Sequence, residues 1–271
     1  MDVLFGWWQY DFMRNALFAI LLIMPLFALL GTMVVNNGMA FFSDALGHSA
    51  LTGVGIGVLL GMTQYNGILV VFAVLFALLM NRIRRSRLSS TDTVIGVFSS
   101  CGVALGLVLL SRGGNFSQYQ ALLIGDILSI STGEIVTLAV TLGIVAVVWL
   151  LCFNPLLAVS VSPSLARSKG IPAGWLDNLF VVLIAVVVML AIQWVGLLII
   201  NAMLILPAAA ARNIAGSMRS YHLLALIFGL FSGVVGLFFS YFNAVAAGPT
   251  IVLAAAVLFF GTFLMREKGT R

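Results

Sequence analysis

The sequence predicts an all-α polytopic membrane protein, with about nine transmembrane helices plus one short outer interfacial or re-entrant helix. Its N-terminus is expected outside and its C-terminus in the cytoplasm. Three observations lead there. Of the 271 residues, 62% are hydrophobic and only 8% charged, against about 25% charged in soluble domains; so few charges cannot cover a water-facing surface. Apolar stretches of about 20 residues recur from end to end, each long enough to span a hydrocarbon core of about 30 Å. Alternating strands do not recur, which argues against a transmembrane barrel and leaves helices to satisfy the backbone in lipid.

Taken in order, the predicted spans lie near Arg14–Val35, Ser43–Gly61, Asn66–Met80, Val94–Leu110 and Gly133–Phe153. Four more follow near Trp175–Val195, Gly196–Ala211, Tyr221–Tyr241 and Val245–Met265. The segment Tyr119–Ser131 is apolar but too short to cross, so it is expected to lie at the outer interface or re-enter. The polar stretches Asn81–Asp92 and Asn154–Gly174 are expected as cytoplasmic loops. No linker divides the chain, so residues 1–271 are expected to form a single transmembrane domain.

The basic residues orient this scheme. Nine spans with the N-terminus outside put Arg82, Arg84, Arg85, Arg87, Arg167, Lys169, Arg212, Arg219, Arg266, Lys268 and Arg271 on the cytoplasmic side, eleven of the thirteen Lys and Arg residues. Only Arg14 and Arg112 remain outside. Making Tyr119–Ser131 a full span would move everything after it to the other side and erase the bias that cytoplasmic loops carry. The net charge of +5 is thus a topology signal rather than a nucleic-acid one. The N-terminus does not read as a signal peptide, because Asp2 and Asp11 stand where basic residues belong. Cys101 and Cys152 fall in apolar segments and read as small apolar side chains rather than a disulfide or metal pair.

Both lysines follow Ser168 and Glu267, so no Gly-Lys dipeptide and hence no phosphate-binding GxxxxGK[ST] loop exists. The chain is therefore not expected to be an enzyme, and any ATP that drives it must bind another polypeptide. The strongest chemical signal is Ser43–Leu51, SDALGHSAL. Asp44 and His48 are four apart and share one face of a helix. Ionisable residues inside a span are costly and mark pathways or relays, and a carboxylate with an imidazole offers two ligands to Zn²⁺ or Mn²⁺. The competing reading is a helix start, with Ser43 or Asp44 as cap and His48 one turn in. Gly53, Gly55, Gly57 and Gly61 suit close helix packing. His222 reads as ordinary, and Asp126 and Glu134 as solvated rim charges. Asn201 and Pro207 share a span that is either kinked or broken to line a pathway.

Several segments, in order along almost the whole chain, resemble the permease family of ATP-binding-cassette importers for zinc, manganese and iron(II). They are FFSDALGHSAL (Phe41–Leu51), STDTVIG (Ser90–Gly96), GDILS (Gly125–Ser129), SPSLARSKG (Ser162–Gly170), VGLLIINAMLILPAAAAR (Val195–Arg212) and AGPTIVL (Ala247–Leu253). The resemblance implies a multi-pass protein of the bacterial cytoplasmic membrane, surrounded by lipid. It implies a homodimer of permeases, a cytoplasmic ATP-binding subunit, an external metal-binding protein and no nucleic acid. The cargo would be zinc, next manganese, with no covalently bound cofactor, and Asp44 and His48 would contact the ion. Ser162, Pro163, Ser164, Leu165, Ala166 and Gly170 would belong to the cytoplasmic segment that couples to the ATPase. Two departures stand out: Ser164 replaces an acid that commonly precedes Leu-Ala, and the Asn36–Met39 loop lacks the family's usual basic residues. Two readings from other classes compete. A proton-coupled secondary metal transporter would use Asp44 and His48 as a relay, and a membrane scaffold would use them only for packing.

Overall fold

The computed structural model describes residues 6–62, 66–86, 90–112 and 125–269. Among these residues there are ten α-helices and two short 3₁₀ turns, Gly6–Gln9 and Ile127–Ser129. The helices are α1 (Asp11–Asn36), α2 (Phe42–Leu59), α3 (Asn66–Arg85), α4 (Thr91–Arg112) and α5 (Thr132–Val161), followed by α6 (Pro163–Ser168), α7 (Ala173–Val195), α8 (Leu197–Ile214), α9 (Met218–Asn243) and α10 (Ala247–Gly269). Seven of them, α1, α3, α4, α5, α7, α9 and α10, contain stretches long and apolar enough to cross a bilayer, and α8 holds a shorter apolar stretch. Each predicted span coincides with a helix.

Large apolar side chains stand on the outside of several helices. Leu150 is 80% exposed, Leu151 75% and Val257 71%. In water such surfaces would drive aggregation; in hydrocarbon they are the required coat. The apolar stretches of α1 and α7 are instead 67% and 61% buried, so those two helices are largely enclosed by protein.

The helices gather into two compact units interleaved in sequence. One comprises residues 1–35, 125–147 and 194–271. In it α8, α9 and α10 pack on one another, Ala28, Ala211, Tyr221 and Ala225 form a buried cluster, and the Tyr221 hydroxyl donates to the Thr32 carbonyl at 3.3 Å. The other comprises residues 36–124 and 148–193. It contains α2, α3, α4, the end of α5, α6 and all but the last two residues of α7, and within it α2 packs on both α3 and α4.

The α2–α4 crossing depends on missing side chains. A Cβ on Gly106 would sit 2.6 Å from Leu51 Cβ and 2.7 Å from Thr52 N, and one on Gly102 would sit 3.0 Å from Ser49 Cα. The two backbones can approach only because neither position carries a side chain. The approach lets the Thr52 hydroxyl donate to the Gly102 carbonyl across the crossing.

Three expectations change. The loop Asn154–Gly174 is largely helical: α5 continues through Pro155 to Val161, and α6 and the start of α7 occupy most of the rest. At 30 residues α5 is about 45 Å long at 1.5 Å per residue, longer than a hydrocarbon core. The first half of the expected short outer helix, 119–124, lies outside the described residues. The second half is not a continuous helix but one 3₁₀ turn capped by Asp126, whose carboxylate accepts from Leu128 N at 3.0 Å. Ile127 and Ile130 are almost fully buried, while Asp126, Ser129 and Ser131 between and beside them are exposed. Gly61 ends the turn after α2 at φ +66° with nothing within 4 Å, so it serves a turn and not helix packing.

Candidate functional site

Helix α2 begins at Phe42, and the cap position Phe41 makes no side-chain hydrogen bond. Neither Ser43 nor Asp44 therefore caps it. Asp44 lies in the first turn, where a carboxylate is favoured by the helix dipole. Met39, Phe42, Ser43, Ala45 and Leu46 are fully buried, so the first turns of α2 are sunk in protein. Burial continues almost all round the helix through Gly55. The exception is a stripe of Phe41, Asp44 and His48, spaced three and four apart and so on one face.

On that stripe His48 Nε2 lies 3.5 Å from Asp44 Oδ1, and the two side chains are 35% and 36% exposed. Two ligands about 2.1 Å from a tetrahedral ion lie ~3.4 Å apart, so the pair is already spaced to share one metal. Among the described residues no group of three or more His, Cys, Asp or Glu comes together, so one chain offers this site two ligands of those types. Cys101 and Cys152 are both free thiols.

The SPSLARSKG segment forms α6, a separate short helix. Ser162 is its N-cap, its hydroxyl accepting from Leu165 N at 3.3 Å, and Pro163 opens the first turn where its missing N–H costs nothing. Gly170 ends the segment at φ +74°. Ala166 is 1% exposed and anchors the inner side, while Leu165 is 56% exposed and Ser164 faces outward with it.

Beside α6 lies a cleft of about 780 Å³. Its walls are the end of α1 (Asn36) with Asn37, the end of α3 (Arg84, Arg85), the start of α4 (Thr91), the end of α5 (Ser160), α6 (Pro163, Arg167) and the start of α7 (Asp177, Phe180). Sequence reasoning missed the polar network on its wall. Asn81, Arg84 and Arg85 are spaced i, i+3, i+4 on α3, and Gly174, Asp177 and Asn178 have the same spacing on α7, so each set shares one helix face. Arg84 Nη2 donates to both oxygens of Asp177 at 3.0 Å. The same guanidinium donates to Asn81 Oδ1 at 2.7 and 3.1 Å, and Asn81 Nδ2 donates to Asn178 Oδ1 at 2.8 Å. Arg85 Nη1 donates to the Gly174 carbonyl at 3.1 Å. The Arg84 and Asp177 side chains are only 14% and 18% exposed. Removing one partner of such a pair strands a charge and costs about 3–5 kcal/mol when it is fully buried. The available signal was an Asp-Asn pair interrupting the start of an apolar span.

Asn201 and Pro207 lie on α8, in the other unit. Helix α8 runs unbroken through Pro207, and the interruption falls at Gly196, the one residue between α7 and α8, at φ +78°. Gly125, at φ +63°, lies directly against Gly196 N, closer than any Cβ would allow. Glu134 accepts from both the amide and the hydroxyl of Ser131 at 2.7 and 2.8 Å, forming a capping box at the start of α5. His222 contacts the Met218 carbonyl within its own helix.

Long apolar helices with large apolar side chains on their outer faces define a polytopic membrane protein. Residues 9–266 match the ABC 3 transport family, and the chain belongs to that family. It is 34% identical to the manganese import system permease protein ScaB of Streptococcus parasanguinis, over 97% of this chain and 94% of that one. It is 32% identical to the high-affinity zinc uptake system membrane protein ZnuB of Haemophilus influenzae, over 96% of this chain and all of that one. Among solved structures, PsaBC from Streptococcus pneumoniae in complex with Fab matches with a TM-score of 0.84 and 32% identity, covering 97% of this chain and 95% of that one. The chain is a multi-pass cell-membrane permease of the metal-importing ATP-binding-cassette type.

Proposed function

We propose that this chain carries a divalent transition-metal ion, zinc or manganese, inward past Asp44 and His48, as the membrane subunit of a complex powered by a separate ATP-binding subunit. One observation carries the reading: from Phe42 through Gly55, α2 is buried in protein except at Asp44 and His48, the two candidate ligands. Two copies facing each other across this pair would offer four ligands. A pair from each chain grips the ion without a full protein cage, as an ion that must leave requires. Carboxylate and imidazole without thiolate suit both metals, and the relatives named for manganese import and zinc uptake support the same two ions.

The reading has nine spans with a cytoplasmic C-terminus, and the cleft beside α6 supports the part of it up to α7. The cleft gathers the ends of α1, α3 and α5 with the starts of α4 and α7, as alternate crossings require, and Arg84, Arg85 and Arg167 cluster there. On this reading α6, protruding through Leu165, seats in the ATP-binding subunit, and an external metal-binding protein delivers the ion to the opposite side. Asn201 and Pro207 on α8 would line the pathway.

The test is ion uptake into liposomes holding the permease with its ATP-binding subunit, with Zn²⁺, Mn²⁺ and Fe²⁺ compared. Uptake should require ATP, and Asp44→Ala should abolish it while the complex still assembles. Normal uptake by that variant would remove the site. Uptake that follows a proton gradient without the ATPase would make the chain a secondary transporter.

A further inference from the structure

We infer that Arg84 and Asp177, seated on Asn81 and Asn178, are positioning residues that carry the displacement of α6 to the α3–α2 pair and so to Asp44 and His48. The inference rests on the reading of α6 as the ATPase-coupling segment.

Four links make the chain of transmission. First, α6 is tied to α7 without slack: Ile171 N donates to the Ala166 carbonyl at 3.0 Å, Ala173 N to the Ile171 carbonyl at 2.8 Å and Trp175 N to the Pro172 carbonyl at 3.0 Å. A shift of α6 therefore moves the first turns of α7. Second, those turns are held to the end of α3 by the network around Arg84 and Asp177. Arg84 touches both carboxylate oxygens, and Arg85 lies 3.9 Å from one of them. Gly174 lies close under the Arg85 guanidinium, since a Cβ there would come within 2.8 Å of Nη2.

Third, α3 is a 20-residue helix with no proline inside, about 30 Å long, and acts as one rod. Fourth, its other end bears on α2, since a Cβ on Gly53 would meet Leu69 Cδ2 at 2.9 Å and Phe72 Cδ1 at 3.3 Å. Gly53 is five residues beyond His48 on the same helix. A polar clamp suits the joint between α3 and α7 better than apolar packing: charged partners in fixed geometry hold one register, whereas apolar surfaces slide.

The permease and its ATP-binding subunit, reconstituted in liposomes, give ions transported per ATP hydrolysed. Arg84→Glu or Asp177→Arg should each lower that ratio at least about fivefold, the low end of coupling between sites, while ATP hydrolysis continues. The double swap R84E/D177R should restore most of it. An unchanged ratio in the single variants, or a swap no better than the worse single, overturns the inference. If the reversed charges prevent accumulation in the membrane, Arg84→Lys and Asp177→Glu preserve charge but alter reach and geometry, and wild-type ratios in both overturn it equally. Leu165→Asp separates the two ideas. If it leaves the ATPase bound, the reading of α6 fails and the clamp has no motion to carry; if it releases the ATPase while Arg84→Glu and Asp177→Arg keep the wild-type ratio, the clamp alone fails.

Discussion

Asp44 Oδ1 and His48 Nε2 lie 3.5 Å apart on the one open face that α2 keeps between Phe42 and Gly55. The i, i+4 spacing puts them together, and the burial of Phe42, Ala45 and Leu46 around them fixes the helix that holds them. Asp44→Asn and His48→Gln keep shape and burial but remove an anionic oxygen and an imidazole nitrogen. Partners one shell outside a metal are already worth about 10–100-fold in affinity, so losing a direct ligand should cost at least that. Each variant should accumulate in the membrane with an unchanged melting temperature and lose metal uptake. Wild-type uptake in both would assign the pair to packing.

The closeness of Asp44 and His48 was legible because its signal is local. Two ionisable residues one turn apart in an apolar stretch require only helical periodicity to be brought together. The helices were legible for a similar reason, since runs of Leu, Val, Ile and Phe about 20 residues long announce themselves. The Arg84–Asp177 pair was not, because 93 residues separate its members and nothing in either segment names the other. The arginines read as topology markers, but the side chains of Arg84 and Arg85 also have a carboxylate beside them. The helical content of 154–174 was hidden by three prolines. Pro163 opens a helix, Pro172 stands just before one, and only Pro155 lies inside one. Pro marks a break less surely than it marks a missing N–H.

The α2–α4 crossing should tolerate no methyl at Gly106. Its Cβ would strike Leu51 Cβ and the backbone at Thr52 at 2.6 and 2.7 Å, and backbone cannot turn away as a side-chain tip can. Overpacking of this kind costs about 1–3 kcal/mol. Gly106→Ala should therefore lower the melting temperature in detergent and reduce uptake by shifting α2. Gly96→Ala on the same helix meets nothing within 4 Å, and it should be neutral or slightly stabilising because alanine favours the helix. Equal effects at the two positions would contradict the crossing.

Gly125 and Gly38 separate two reasons for keeping a glycine. Both have φ near +64°, at 63° and 64°. Gly38 has open space around it, whereas Gly125 lies against the Gly196 backbone. Gly38→Ala should cost only the left-handed strain, roughly 1 kcal/mol. Gly125→Ala adds a clash that neither backbone can relieve locally, so it should deplete folded protein in the membrane. The comparison is read by the amount of monodisperse protein recovered in detergent, and similar recovery of both variants would sink the assigned close approach.

The exposed side of α6 should be dispensable for the permease and necessary for its partner. Leu165 is 56% exposed, and surface substitutions away from caps and cores usually change stability by no more than about 0.5 kcal/mol. Leu165→Asp should leave the melting temperature of the isolated permease unchanged while releasing the ATP-binding subunit on purification. Ser162→Ala acts differently, because it removes the hydroxyl that accepts from Leu165 N and costs roughly 1 kcal/mol at the helix start. Fraying α6 should weaken the partner's hold without abolishing it, and Ser162→Asp, which can still cap, should restore it. Retention of the partner by Leu165→Asp at wild-type yield would mean that the ATPase grips the permease elsewhere.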